Sequence, residues 1–105
     1  MKIKSFKLIT GEEVVGNVVE EGADFFQIEK IRQLGLAQVE VPGEAQPRLI
    51  PHFVPWILTN ADGKIKLNKN NVMADVDNLP AELEALYLQQ TTGLDLSSKL
   101  PGSRR

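Results

Sequence analysis

The fold is decided by the stretch LITGEEVVGNVV, residues 8–19. Apolar and β-branched residues lie on both sides of a turn at Gly11, so the stretch predicts two strands joined as a hairpin. Gly16 lies inside the second strand, where a glycine is unfavourable by propensity. The usual reason for such a glycine is a sharp bend or a close approach of another backbone segment. Both occur where a strand curls to close a small barrel.

Short alternating segments continue on both sides of this hairpin. Pro51 and Pro55 interrupt the segment at residues 48–59, which predicts an edge, bulged or bent strand. Gly35 makes the segment at residues 25–41 irregular. Counted as about five short strands, these segments predict a small, strongly bent, mostly antiparallel sheet. SH3-like, OB-like and Sm-like barrels all meet that description. The segments are residues 3–9, 13–20, 25–41, 48–59, 65–67 and 72–76.

One helix is predicted, over residues 79–92. Asn78 is placed to cap it, Pro80 suits its first turn, and Gly93 ends it. A helix of this length is marginal alone, so its apolar face must pack on the sheet or on a partner. Side chains on that face recur at helical spacing: Leu79, Leu83, Leu86 and Tyr87.

Length and composition bound the remaining possibilities. The chain has 105 residues, a net charge of −2 and no cysteine. These values predict one domain over residues 1–92, and they exclude disulfides and thiolate zinc sites. Residues 93–105 are polar and rich in Gly, Pro and Ser, which predicts a flexible tail, with a basic arm for nucleic acid as the alternative. No apolar stretch is long enough for a signal peptide or a membrane span, so we expect a soluble, cytoplasmic protein without a membrane partner.

The stretch 8–19 resembles the first motif of the Sm/LSm family. In that motif a turn glycine follows an apolar strand, and a second glycine lies five positions later inside a bent strand, as Gly11 and Gly16 do here. Residues 65–72, IKLNKNNV, are similar to the second Sm motif, where an Arg-Gly turn and a polar pair lead into the last strand. The chain also resembles small phage-associated Sm-like proteins, which carry a Pro-Trp pair in mid-chain, here residues 55–56, and end in a helix.

The resemblance implies an Sm-like barrel of about five strands with a C-terminal helix. It also implies a homo-oligomeric ring, which we expect to hold about five to seven subunits, and a cytoplasmic location in the host cell if a phage encodes the protein. The chain departs from the family at three points. Asn68-Lys69 replaces the Arg-Gly turn, Asp24 lies two positions farther from Gly16 than is usual, and the helix is C-terminal.

The resemblance also implies a nucleic-acid site. Placing Phe26 and Ile28 in the core puts Phe25 at the family's base-stacking position and Gln27 at its base-contacting Asn position. The opposite strand phase would bury Gln27 and expose Phe26. From the second motif, the residues implied to meet base or phosphate are Asn68, Lys69 and Asn70.

Signals for catalysis are weak. His52 is the only histidine and lies in an apolar segment, which is typical of a structural residue. No second histidine or cysteine can complete a catalytic dyad or a zinc site. The acidic pairs at residues 12–13 and 75/77 are weak signals for a metal. We therefore expect no catalytic residue, no metal and no cofactor.

Two functional hypotheses follow. The first is a non-catalytic Sm-like ring protein that binds single-stranded RNA or DNA, with RNA favoured. The alternative is a structural or adaptor protein that uses the same fold for protein–protein assembly, for example in a phage particle. The lysines at positions 2, 4 and 7 would form a basic stripe on the first strand, which we interpret as protection of an exposed sheet edge.

Overall fold

A computed structural model describes residues 1–93. Over these residues the fold consists of six strands, one 3₁₀ turn and one helix, where about five strands were predicted. The six strands lie at the six alternating segments that the sequence analysis counted as about five strands. In chain order the elements are β1 (Ile3–Leu8), β2 (Glu13–Glu21), β3 (Phe25–Val39), β4 (Arg48–Pro55), β5 (Lys64–Asn68), the 3₁₀ turn (Lys69–Asn71), β6 (Val72–Val76) and α1 (Ala81–Thr92).

The strands form one antiparallel open sheet in the order β4-β3-β2-β1-β6. The long strand β3 has two edge partners in succession. Its first part, residues 25–29, pairs with β5, and residues 32–39 pair with β4. We call residues 33–55, which comprise the end of β3, the connecting turn and β4, the arm.

Two local features bend the sheet. Gly16 packs so closely that an added Cβ would overlap Cγ2 of Ile28, so the close neighbour is a side chain and not the backbone segment that was expected. Opposite it, β3 carries one extra residue, since Asn17 pairs with Glu29 and Val15 pairs with Arg32. Lys30 lies in this bulge with a φ of 55°. A bulge increases the local bend and twist of a strand.

The bent sheet has a core on each face. The inner face holds a cluster centred on Phe6 and Phe26, whose ring centroids lie 4.8 Å apart. On the outer face, α1 packs against the sheet through Tyr87, which is fully buried and meets Phe53 edge-to-face at 5.8 Å. The predicted packing of the apolar helix face on the sheet is therefore confirmed.

The start of the helix was predicted two residues too early. Pro80 has an extended ψ of 141°, and its side chain makes no capping hydrogen bond, so the helix begins at Ala81 and Asn78 does not cap it. The residue before a proline is also disfavoured in helical conformation. At the other end, Gly93 adopts the left-handed conformation with a φ of 71°, as predicted for the stop.

The interpretation of the β1 lysines as edge protection is wrong. Strand β1 lies inside the sheet, between β2 and β6. Lys4 is buried, and its Nζ pairs with Asp75 at 3.1 Å and with Asp77 at 3.0 Å. Burial alone would lower the pKa of Lys4, but the hydrogen bonds to Asp77 and Asp75 outweigh it and raise the pKa above its ordinary value.

No helix among residues 1–93 is long and apolar enough to span a bilayer. The predicted tail lies outside the described residues, except for Gly93.

Candidate nucleic-acid interface

The predicted strand phase of β3 is confirmed. Phe26 and Ile28 are buried in the inner core, with exposed fractions of 4% and 0%. Phe25 and Gln27 are half-buried and lie on the opposite, outer face of the strand. The sequence pattern alone left this phase open, because an alternation of Phe, Gln and Ile suits either face.

Three of the predicted residues share the outer face of the β3–β5 ribbon. Phe25 pairs with Asn68 across the two strands, and Gln27 pairs with Lys66. Directly paired residues of an antiparallel ladder project to the same side of the sheet. The ribbon therefore presents an aromatic ring, two amides and one ammonium together. We call these four residues the ribbon patch.

Lys66 completes the ribbon patch and was missed by the sequence reasoning. Its Nζ lies 4.8 Å from the centroid of the Phe25 ring, a cation–π distance. The alternation of Lys64 and Lys66 along β5 was the available signal. It could not be used without knowing that β5 pairs with the first part of β3.

Gly22 leaves the space in which the Phe25 ring lies. A Cβ at Gly22 would come within 2.6 Å of ring atom Cε2. The Gly22 amide also donates a hydrogen bond to the Phe25 carbonyl at 2.8 Å, which closes the turn from β2 into β3. The turn therefore fixes the position of the aromatic ring at the end of the ribbon.

The 3₁₀ turn, which belongs to the second predicted motif, lies next to the turn from β2 into β3. The amide of Lys69 donates to the Asp24 carbonyl at 2.9 Å, so the two segments that the sequence singled out meet at one corner of the sheet. Asn70 is exposed on the 3₁₀ turn. At the far end of that turn, the Asn71 carbonyl accepts a hydrogen bond from the Ile9 amide at 2.9 Å.

The side chain of Lys69 points away from the ribbon patch. Its Nζ pairs with Glu21 Oε2 at 2.7 Å and lies 5.0 Å from the centroid of Phe26, the inner-face ring. The hydrogen bond from Lys69 holds the pKa of Glu21 below its ordinary value. The ammonium group of Lys69 therefore does not lie beside Phe25 and Gln27, and it pairs with the Glu21 carboxylate instead.

The acidic residues considered for a metal have other partners. Glu12 accepts a hydrogen bond from Thr10 and another, at 3.3 Å, from the Trp56 indole. These bonds lower the pKa of Glu12, and the bond from Thr10 has the largest effect. Asp75 and Asp77 both pair with Lys4. Within residues 1–93, no group of three or more His, Cys, Asp or Glu side chains is arranged to hold a metal ion.

His52 lies on the arm, opposite Gly35 in the β3–β4 ladder. A Cβ at Gly35 would lie 2.9 Å from the imidazole Cε1, so the glycine makes room for the ring. Its Nδ1 is buried, and no atom of residues 1–93 hydrogen-bonds to it. A ring held in this way against a strand acts in packing, in agreement with the structural interpretation of this residue.

Comparison with known proteins adds no relative, since neither a family model nor a curated protein matches the sequence.

Proposed function

We propose that this protein is a non-catalytic nucleic-acid-binding module with an Sm-like barrel. Three features support the barrel. Strand β2 bends at Gly16, β3 bends at Lys30, and β5 and β6 lie at opposite edges of the sheet although only one 3₁₀ turn separates them in the chain. In the proposed barrel, these bends would bring the two edges towards each other.

The ribbon patch is the observation that carries the binding proposal. Aromatic rings stack on bases of any sequence, at about 1–3 kcal/mol per base, and Phe25 offers such a ring. The amides of Gln27 and Asn68 each provide a donor and an acceptor for base edges. Lys66 would leave the ring when a base stacks there and would pair with a phosphate instead. Single-stranded RNA fits these groups, with DNA as the other substrate.

The proposal includes a closed ring of about five to seven copies. Among the described residues, β6 pairs only with β1 and β5 pairs only with β3, so each strand presents a second edge. Met73 and Val76 are exposed on β6. Apolar edges of this kind favour pairing between neighbouring subunits over exposure to water. Because the contact would be head-to-tail, it must close into a ring or continue as a fibre. We place this assembly in the cytoplasm.

A structural or adaptor role is the second candidate, and one observation favours it. Two of the cations near the site, Lys4 and Lys69, are already paired with carboxylates and are not available to phosphates. The arm, in contrast, exposes large apolar side chains suited to a protein partner. The net charge of −2 agrees with this alternative.

Titration with single-stranded oligonucleotides tests the proposal. Fluorescence anisotropy of U-rich and A-rich RNA and DNA, measured across salt concentrations, should show an affinity that falls steeply with salt. Phe25→Leu should weaken binding about tenfold, since it removes the stacking ring and keeps apolar bulk. Lys66→Ala should weaken binding and lower the slope of log affinity against log salt by about one.

Two control variants make this test specific. Arg48→Ala removes the same charge at the end of the arm and should bind like the unmodified chain. Lys69→Ala should have a smaller effect than Lys66→Ala, because Lys69 is paired with Glu21. The absence of binding at low salt, or equal losses for Lys66→Ala and Arg48→Ala, would reject the ribbon patch as the interface and favour the adaptor role.

A further inference from the structure

A carboxylate lies beside the ribbon patch on the outer face of the sheet. Glu20 of β2 pairs directly with Gln27 of β3, and Gln27 pairs with Lys66 of β5. Directly paired residues of an antiparallel ladder project to the same side of the sheet. One row across three strands therefore carries a carboxylate, an amide and an ammonium group in that order. Neighbouring members of the row lie on strands that are about 5 Å apart.

A bulge in β2 sets the direction of Glu20. The strand has one extra residue, Val19, between two pairs of the β2–β3 ladder. Val18 belongs to the inner core, so strict alternation would turn residue 20 to the inner face as well. The bulge instead places Glu20 on the outer face and Glu21 on the inner side, where Glu21 meets Lys69. Bulges are frequent beside functional sites because they re-aim a side chain.

The Glu20 side chain is exposed and has no polar partner within residues 1–93, where it forms neither a salt bridge nor a hydrogen bond. Glu29, the carboxylate in the next row of the outer face, differs because it accepts a hydrogen bond from Asn17 Nδ2 at 2.8 Å. Glu21, the next residue in the chain, is paired with Lys69. Glu20 is therefore a carboxylate beside the ribbon patch that is open to a ligand.

The row lies where the edge of a stacked base would reach. The Phe25 ring lies against Gly22, just beyond the end of β2. A base stacked on this ring would extend along β3 towards the next outer-face row, about 6.6 Å away. Its edge would meet Gln27 and Glu20, while Lys66 lies on the β5 side. Single-stranded bases are commonly recognised in this way, by stacking on an aromatic ring and by hydrogen bonds along the Watson–Crick edge.

We propose that Glu20 and Gln27 select guanine at the base-stacking position of the ribbon patch. The Watson–Crick edge of guanine presents two adjacent donors, the N2 amino group and N1–H, followed by the O6 acceptor. The two oxygens of the Glu20 carboxylate accept from both donors, and the amide nitrogen of Gln27 donates to O6. The order of groups along the base edge thus matches the order across the strands. The inference rests on the proposed nucleic-acid binding and names the base that is selected.

The other bases match this row less well. Adenine and cytosine each offer one amino group to Glu20 and one ring-nitrogen acceptor to Gln27. Uracil has a single N–H between two carbonyl oxygens, and these oxygens would face the carboxylate. A good bidentate contact favours the matched base by about 5- to 150-fold. We expect guanine to bind most tightly, then adenine and cytosine, then uracil.

Inosine isolates the contact to Glu20. Its base keeps N1–H and O6 and lacks only the N2 amino group, so it offers the carboxylate one donor in place of two. Fluorescence anisotropy of the full chain compares short alternating U-G and U-I RNA strands with oligo-U at low salt. The U-G strand should bind about tenfold more tightly than the U-I strand, and oligo-U should bind most weakly. Equal affinities of the U-G and U-I strands would overturn the proposal.

A conservative variant tests the carboxylate itself. Glu20→Gln keeps the size of the side chain and removes its charge and one acceptor oxygen. It should bring the ratio of U-G to U-I affinity close to one, whatever its effect on absolute affinity. Glu29→Gln is the matched control, because it removes the same charge one row farther along the face and should leave the ratio unchanged. An equal fall of the ratio in both variants would show that general electrostatics causes the preference, and would reject the contact to the base.

Two further variants separate the roles within the row. Gln27→Ala should weaken the U-G and U-I strands by the same factor, since both bases keep O6. Lys66→Ala should also weaken both strands equally and lower the salt slope, as the loss of a phosphate contact does. The ratio itself should not change with salt, because contacts to base edges release no counterions. A ratio that depends on Lys66 and not on Glu20 would overturn the assignment.

The failure of this inference differs from the failure of the proposed function. If no oligonucleotide binds at low salt, nucleic-acid binding is rejected together with the selection of a base. If every strand binds and Phe25→Leu weakens them all, but the unmodified chain does not distinguish guanine from inosine, the proposed function stands and the selection of guanine is wrong.

Discussion

The two halves of β3 have similar apolar content and opposite environments. In the first half, Phe26 and Ile28 are buried because the bent sheet curls around them. In the second half, Leu36 is exposed because the strand continues past the sheet as part of the arm. The change occurs after Leu34, which still packs in the outer core. Curvature, more than hydrophobicity, decides which apolar residues form the core of this chain.

The largest effect should come from the outer core. Tyr87→Ala empties a fully buried position and should cost about 3–5 kcal/mol of unfolding free energy, as other large aromatic truncations do. That loss corresponds to a fall in Tm of more than about 12 °C. Calorimetry measures it, with Gln89→Ala on the exposed side of the same helix as the control. A loss below about 1 kcal/mol would show that α1 contributes little to the core.

Gly16→Ala should have the next largest effect. The added methyl group overlaps Cγ2 of Ile28, and such overpacking costs about 1–3 kcal/mol. Ile28→Leu removes the branched methyl, so the double variant should be less destabilised than the sum of the single variants. Urea unfolding of all three measures this coupling. Simple additivity would mean that the clash is relieved elsewhere.

Alkaline pH should lower the free energy of unfolding through the ionisation of Tyr87. Burial raises the pKa of Tyr87 from 10.0 to about 12. A pKa that is higher in the folded state stabilises the fold below pH 10, and that contribution is lost as the pH rises from 10 to 12. The raised pKa of Lys4 acts in the same direction. The chain has one tyrosine, so tyrosinate absorbance reports Tyr87 alone. Ionisation near pH 10 in the folded protein would contradict this prediction.

Acid pH should lower the free energy of unfolding through the Arg32–Asp62 pair at the base of the arm. The hydrogen bond from Arg32 to Asp62, at 2.6 Å, lowers the pKa of this carboxyl group. A lowered pKa stabilises the fold above the ordinary carboxyl range, and the contribution is lost as the pH falls through the folded-state value. Asp62→Asn should cost about 0.5–1 kcal/mol at pH 7, because Asp62 is largely exposed, and nothing further at low pH. Urea unfolding at both pH values, with Asp24→Asn as the control, measures this difference.

The smallest effect should be on the arm itself. Leu36→Ala should change the stability of the dilute chain by less than about 0.5 kcal/mol, since the side chain is mostly exposed. Leu34→Ala, two residues earlier on the same face, should cost at least about 1 kcal/mol because Leu34 packs on the outer core. Equal losses at the two positions would mean that the arm is already covered in the dilute chain. Thermal unfolding at submicromolar concentration gives the comparison.

Local chemistry accounts for what could be predicted from the sequence. The turn at Gly11 and the helix stop at Gly93 each depend on a glycine with a positive φ, and the constraint at Gly16 was indicated by a glycine inside a strand, although the Ile28 side chain that it meets lies 12 residues away. The phase of β3 was correct because one choice buries both Phe26 and Ile28. These features need only strand and helix periodicity and the conformational preferences of glycine.

Pairings distant in sequence account for the rest. Lys69 lies 48 residues after Glu21, and no local pattern indicates that the two side chains pair. Lys66 meets Phe25 only because β5 joins the first part of β3. The position of β1 inside the sheet likewise depends on β6, which lies near the other end of the described chain. The sequence therefore indicated three of the four ribbon-patch residues, and it named Lys69, which pairs with Glu21, but not Lys66, which lies over Phe25.

The bulge at Lys30 has a consequence for the order of folding. The Tyr87 hydroxyl donates to the Lys30 carbonyl at 2.7 Å across 57 residues of sequence, and Lys4 bonds Asp75 across 71. A chain emerging from the ribosome has no partner for Lys4 until residue 75 is synthesised, and none for the Lys30 carbonyl until residue 87 is synthesised. The β1–β2 hairpin can form early, but the bend is secured only when the helix arrives. We expect slow folding with a high contact order, in which docking of α1 is a late event.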